Sequence, residues 1–470
     1  MLALAMLGEF LALVFVYRVL VRGGSPASTL LWMVVILAAP WLGLVLYYLM
    51  PRRLQLRRLR RLRVRGDRLR EVRVPSGGGA TDRGGGAPHG LRALLAGNDG
   101  SGLTSGNLLE WLPSGQEFFA AAEAAIAAAV HHVHCLVYIF RPDASGLRFL
   151  DLLTRAARRG VAVRLLYDSF GSIGLKAAHL APLQAAGGRA VPFLPLLWKR
   201  RPFTMNLRNH RKLLVVDGSV GFVGGRNVGD EYFTDRVGRA RLWLDAMLEL
   251  RGPAVLRLQD VFIEDWNTAT DEVIGDTLVG SAPPRERGLE VGVVCSGPDR
   301  EDPDLWFAVV QALSAAEVTI DLSSPYLVPP PTLLFALQLA AARGVRVRIY
   351  TNGPKTEAAV LYHAQRSYYA RLLAAGIELY ETVEQYNHAK VLVVDERTVL
   401  LGSANMDLRS AHLNFEIAAV ALDAGALAAR VMQTLEQRRQ ACRRIGEAAL
   451  PDNPVARAID GLCGLLAPLL

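Results

Sequence analysis

"NHRKLLVVDGSVGFVGGRN" fills residues 209–227 and "NHAKVLVVDERTVLLGSAN" residues 387–405. Each copy opens Asn-His-x-Lys. Asp follows seven residues after the His (Asp217, Asp395), Gly seven after that (Gly224, Gly402), and Asn seventeen after the His (Asn227, Asn405). A lone His-x-Lys occurs by chance; the same five positions matched in two copies do not. Apolar runs before and after each Asp read as strand, turn, strand. Side chains two apart on a strand share a face. His210 and Lys212 therefore point one way, as do His388 and Lys390, with Arg211 and Ala389 turned to the opposite side. The glycines let backbone come close, which brings Asn227 and Asn405 toward the same cluster.

The repetition reaches further. "AARRGVAVRLLYD" (156–168) resembles "AAARGVRVRIYTN" (340–352), offset by 184 residues where the histidines are offset by 178. "SGQEFFAAAEAAIAAAV" predicts a helix opened by a capping box, Ser114 with Glu117. "CLVYIF" and "VAVRLLYD" predict buried strands, and "SGLRFLDLLTRAARRG" a helix closed by Gly160. This alternation predicts an α/β fold of two homologous halves, residues 105–280 and 289–470, with mixed β-sheets flanked by helices and a pseudo-twofold between them.

Such a twofold would gather two imidazoles, two ammoniums and two amides. That set suits a tetrahedral phosphate: the Lys and Asn donors hold its oxygens, one His attacks phosphorus, and the other protonates the leaving alcohol. No carboxylate-rich cage is evident, so neither a metal nor a cofactor is expected. His179, His363 and the "HHVH" run at 131–134 read as structural. The cysteines, Cys135, Cys295, Cys442 and Cys463, form no C-x-x-C, against both a zinc site and a disulfide framework.

Charge is unevenly placed. Residues 52–73 hold eleven Arg against Asp67 and Glu71, which accounts for the whole net charge of +9; the other 42 basic and 42 acidic residues cancel. A neutral body offers no evident surface for nucleic acid. Residues 1–21 and 29–50 are each about twenty apolar residues, enough to cross ~30 Å of hydrocarbon. They predict a two-helix transmembrane hairpin within residues 1–50. The polybasic segment 51–74 behind it places the catalytic body in the cytoplasm by the positive-inside rule. Residues 75–90 read as a flexible Gly-rich linker.

"HRKLLVVD…GGRN" and "HAKVLVVD…GSAN" resemble the paired H-x-K-x4-D motifs of the phospholipase D superfamily. "RNHRK", "GGRNVGDEYF", "SPYLVPP", "GSANMDLRS" and "LNFEI", behind two apolar spans, narrow the resemblance to bacterial cardiolipin synthases, multi-pass proteins of the inner membrane. The resemblance implies metal-free transfer through a phosphohistidine, joining two phosphatidylglycerols and freeing glycerol. It implies catalytic roles for the motif positions His210, Lys212, Asp217, His388, Lys390 and Asp395, the two aspartates buttressing the motif. Asn227, Asn405 and Ser403 would bind phosphate; Gly225 stands where Ser403 does in the second copy. Glu416 would orient His210 and Asp245 would orient His388, each across the halves. Which His is the nucleophile stays open. The competing readings are a hydrolysing or headgroup-exchanging phospholipase D, a nucleic-acid phosphodiesterase, and a non-catalytic membrane scaffold. The neutral body disfavours the second and the complete motifs the third.

Overall fold

The computed structural model describes residues 2–21, 26–41, 43, 89–97, 102–194, 207–233, 243–270, 272, 274, 288–300, 303–451 and 453–465. The polybasic segment lies outside the described residues, as does the Gly-rich linker up to residue 88.

The N-terminal unit holds helices Leu2–Val21 and Pro26–Ala38. Ala12, Val19 and Ile36 are buried, with Phe15, Val16 and Trp32 packed on them. Phe10, Leu13, Tyr17, Leu30 and Val34 stay exposed. Among the described residues no helix is long and apolar enough to cross a membrane. The expected second span continues into residues 44–50, which lie outside the described ones.

Among the described residues the main unit is built on eighteen strands. The first half carries β1 (Thr104–Leu112), β2 (His132–Val137), β3 (Ala162–Asp168), β4 (Arg189–Phe193), β5 (Arg208–Asn209), β6 (Leu213–Val216), β7 (Val220–Gly224) and β8 (Met247–Arg251). The second carries β9 (Leu289–Ser296), β10 (Thr319–Ser323), β11 (Leu327–Val328), β12 (Arg346–Asn352), β13 (Glu378–Thr382), β14 (Val391–Val394), β15 (Thr398–Gly402), β16 (Met406–Asp407), β17 (Asn414–Leu422) and β18 (Cys442–Ile445).

Sixteen strands form one mixed sheet rather than the two sheets that the repeat suggests, because β1 pairs antiparallel with β9 and joins the halves. Outward from that seam the first half runs β1-β8-β7-β6-β2-β3-β4 and the second β9-β17-β15-β14-β10-β12-β13, closed by β18. The two orders match position for position, which is the pseudo-twofold. Within each half the crossover helices Ala144–Arg158 and Pro331–Ala342 return the chain to parallel strands, β2 to β3 and β10 to β12. Both crossover helices are followed by a Gly in left-handed geometry, Gly160 (φ 89) and Gly344 (φ 88).

The motif aspartates belong to the hairpin turns. Asp217 and Asp395 adopt positive φ (50 and 51) between their paired strands. Each carboxylate accepts three backbone N–H groups, Asp217 from Val130, His131 and His132, Asp395 from Glu317, Val318 and Thr319. They tie each turn to the start of the adjacent antiparallel strand, β2 or β10, and make no hydrogen bond to His210 or His388. This geometry suits the buttressing expected of the two aspartates.

Two further differences have physical reasons. The His-x-Lys triplets precede strands β6 and β14 instead of lying within them. Backbone there pairs across the halves: the N–H of His210 donates to the carbonyl of Phe415, and that of His388 to Leu244. The helix His89–Gly97 opens inside the expected linker and packs on the second half. Leu91 and Leu95 join that core, and Arg92 pairs with Glu290 and Asp423.

Candidate active site

Each motif His is pinned twice by the opposite half. β5 pairs with β17, aligning Asn209 with Phe415, so the next side chain on β17, Glu416, reaches His210. Nδ1 of His210 lies 3.0 Å from Oε1 and 3.1 Å from Oε2 of Glu416. Leu244 bridges to Asn387 in the same way, and Nδ1 of His388 lies 2.6 Å from Oδ2 of Asp245. A carboxylate at Nδ1 fixes the tautomer with its proton there and leaves Nε2 as the lone-pair nitrogen. Among the described residues no hydrogen bond engages either Nε2.

The electrostatics follow from burial. Glu416 and Asp245 are fully buried. Desolvation opposes their ionisation, yet the facing imidazoles and lysines hold both below the usual carboxylate range. Desolvation pushes His210 down to about 4 and His388 to about 3, so both rings are neutral at pH 7. Burial also lowers both lysines, Lys390 to about 8, against the pull of Asp245 and Glu416. Both side chains fold back so that Nζ donates to a motif carbonyl, Lys212 to His210 and Lys390 to His388. Lys212, Lys390, Glu416 and Asp245 act on one another electrostatically across the halves, forming a single cluster. An incoming phosphodiester anion would restore full charge to both ammoniums.

The expected phosphate ligands behave differently. The Ser403 hydroxyl donates to Glu416 Oε2 and accepts from the Ile417 N–H, so it orients the acid instead of reaching toward phosphate. Asn414 adds a second donor to Glu416. Asn227 accepts from the Ile139 N–H and donates to the Tyr232 hydroxyl at 2.8 Å. Asn405 is buried with its carbonyl oxygen unpartnered.

In the first copy Gly225 replaces Ser403 for a steric reason: a Cβ there would lie 2.2 Å from Asp245 Oδ1. Gly225→Ala should therefore push the Asp245 carboxylate off His388 and cut turnover about 100-fold, the size of effect that ~1 Å misplacement produces. Turnover with a parallel thermal melt checks it. More than half of wild-type turnover would remove the steric argument.

Some contributors escaped sequence reasoning. Arg211, fully buried, donates to Asp265 at 2.6 Å and to the carbonyls of Glu416 and Ser296, anchoring β17 behind the His210 cluster. The second copy has Ala389 there, so the repeat gave no signal. Asn209 and Asn387 did carry one, since both quoted stretches begin with them. Asn209 Nδ2 donates to Asp265, and Asn387 Nδ2 to Ser323. Aromatic rings close the site: Tyr138 lies edge-on to His210 at 5.0 Å, and Tyr232 and Trp243 lie 5.6 and 5.3 Å from His388. The "HHVH" histidines lie elsewhere: His132 bonds Gln259 and His134 stacks on Phe262.

Residues 123–266 and 309–439 match the family profile described as cardiolipin synthase, PLD-like domain. The chain belongs to the phospholipase D-like cardiolipin synthase family. Residues 10–50 match a second profile, the phospholipase D-nuclease N-terminal segment. A cardiolipin synthase of Geobacillus kaustophilus is 36% identical over 465 residues, covering 95% of this chain and 89% of that one. Another from Halalkalibacterium halodurans is 38% identical over 311 residues, 65% of this chain and 61% of that one. The phosphatidylserine synthase of Haemophilus influenzae shares the fold, with a TM-score of 0.62 at 16% identity over 81% of this chain and all of that one.

Proposed function

We propose that this chain is a cardiolipin synthase that transfers a phosphatidyl group from one phosphatidylglycerol to another through a phosphohistidine. The observation that carries the reading is the crossed pair of imidazole–carboxylate contacts beside two buried lysines. Nε2 of one imidazole attacks phosphorus in line. The P–N bond forms, the P–O bond to glycerol breaks, and the other imidazole, protonated in the anionic complex, gives its proton to the departing oxygen. In the second step the hydroxyl of another phosphatidylglycerol returns a proton to that imidazole and attacks phosphorus. The P–N bond breaks, cardiolipin leaves, and both rings regain their starting state. Lys212 and Lys390 balance charge on the phosphoryl oxygens, and the amides of Asn227 and Asn405 reorganise toward them when phosphate enters.

The same reading places the protein at the bacterial inner membrane. The apolar helices and the apolar sequence up to residue 50 would form a multi-pass attachment, with the body cytoplasmic behind the Arg-rich segment. The match of residues 10–50 to the N-terminal profile supports an attachment element there.

The test is direct. Full-length protein in detergent micelles is given phosphatidylglycerol labelled in its glycerol headgroup and in its acyl chains. The expected products are cardiolipin and free glycerol in equal amounts. Phosphatidic acid as the main lipid product would replace this reading with hydrolysis.

A further inference from the structure

Behind His388 lies a group of polar side chains that the transfer chemistry leaves unused. Tyr386, two residues before His388, has its ring 4.5 Å from Trp243 and 6.2 Å from the imidazole. Its hydroxyl donates to that of Tyr326 at 3.0 Å, and the Glu357 carboxyl lies close enough to act electrostatically on both phenols. Glu357 accepts hydrogen bonds from the Ala358 N–H at 2.8 Å and the Asn352 amide at 3.3 Å. No cation pairs with it among the described residues. Asn352 in turn donates to the carbonyl of Asn387, the residue before His388. Tyr326, Glu357, Tyr386 and Trp243 are all half-buried, so the group reaches the surface beside the imidazole.

A carboxyl set in an apolar, aromatic surround without a counter-charge is costly unless hydroxyl or amide donors satisfy it. Burial raises Glu357 to about 7, so at neutral pH it is only part-ionised and makes a poor fixed partner for a cationic headgroup. Its remaining acceptor capacity and the two phenols suit neighbouring hydroxyls, and the Trp243 face suits the C–H edge of a small polyol.

We propose that Glu357, Tyr386 and Tyr326 form the subsite that binds the glycerol headgroup, and so select a polyol as acceptor over water or a simple alcohol. The proposal rests on the transfer reading above. In-line displacement gives one subsite two duties. With His210 as the imidazole bonded to phosphorus, the departing glycerol and the attacking phosphatidylglycerol hydroxyl both stand on the opposite side, toward His388 and this group, so the same residues meet each in turn. A site that hydrogen-bonds a substrate hydroxyl discriminates strongly against alcohols that lack it.

The experiment is a partition assay. Full-length wild type, Glu357→Gln and Tyr386→Phe are each given phosphatidylglycerol micelles with a fixed concentration of ethanol, and cardiolipin and phosphatidylethanol are measured together. The ratio of cardiolipin to phosphatidylethanol should fall about tenfold or more in Glu357→Gln and severalfold in Tyr386→Phe, with Tyr326→Phe following Tyr386→Phe. The ratio is insensitive to how much protein is folded, so a merely structural role would leave it fixed. An unchanged ratio in both variants overturns the subsite, whatever the total rate. A higher relative yield with ethanolamine than with glycerol as free acceptor in wild type also overturns it, in favour of a cation site. If wild type itself makes no cardiolipin, the transfer reading has failed instead, and the two failures are distinguished in one experiment.

Discussion

His210→Ala and His388→Ala should each lower turnover by about 10⁴-fold or more, and the double variant should be little worse than either alone. One ring forms the bond to phosphorus and the other moves the proton, so losing either stops the same sequence of steps, and such losses do not add. Both rings have carboxylate partners contributed by the opposite half, so each substitution leaves a buried acid without its imidazole. An unpartnered buried charge destabilises the fold. The kinetics must therefore be read beside a thermal melt, with His210→Gln and His388→Gln as variants that keep a donor toward each acid. Multiplicative losses, or more than one per cent of activity in a folded single variant, would break the shared-site mechanism.

Asp245→Asn should cost about 10³-fold in turnover, by removing the charge that steadies His388 as an imidazolium and fixes its tautomer. A pH profile separates this from damage to the fold. Lys390 must be protonated to balance phosphoryl charge, so in wild type activity falls as pH rises through its value of about 8. Asp245 raises that value, so its loss lowers the Lys390 pKa and moves the alkaline limb to lower pH. On the acid side, an imidazole held at about 4 remains a nucleophile well below the pH at which a free histidine protonates. Both limbs belong to kcat/KM, which reports the free enzyme, and its acid limb should therefore sit near pH 4. A variant with low turnover but an unmoved alkaline limb would show that Asp245 acts on the fold rather than on the site's charge.

Local pattern sufficed for much of the architecture. Continuous apolar runs on either side of Asp217 and Asp395 gave the hairpins β6–β7 and β14–β15, because both faces of these strands are buried and a short apolar run broken by a turn is written in consecutive residues. Repetition gave two equivalent halves, and the doubled His-x-Lys pointed to the residues that the halves bring together. The crossed acids were named only through family resemblance. Glu416 stands 206 residues from His210, and Asp245 stands 143 from His388. Contacts at that separation depend on how β5 docks on β17 and Leu244 on Asn387, and no periodicity near either residue encodes it. The same holds for the Ser403 hydroxyl turned to Glu416, for Arg211 anchored on Asp265, and for Glu357 behind Tyr386. Sequence by itself determined which residues could do phosphoryl chemistry and that they come in two copies. Only the tertiary structure decided where each side chain's hydrogen bonds go, because a buried polar group takes whichever partner the packing of distant segments brings within reach.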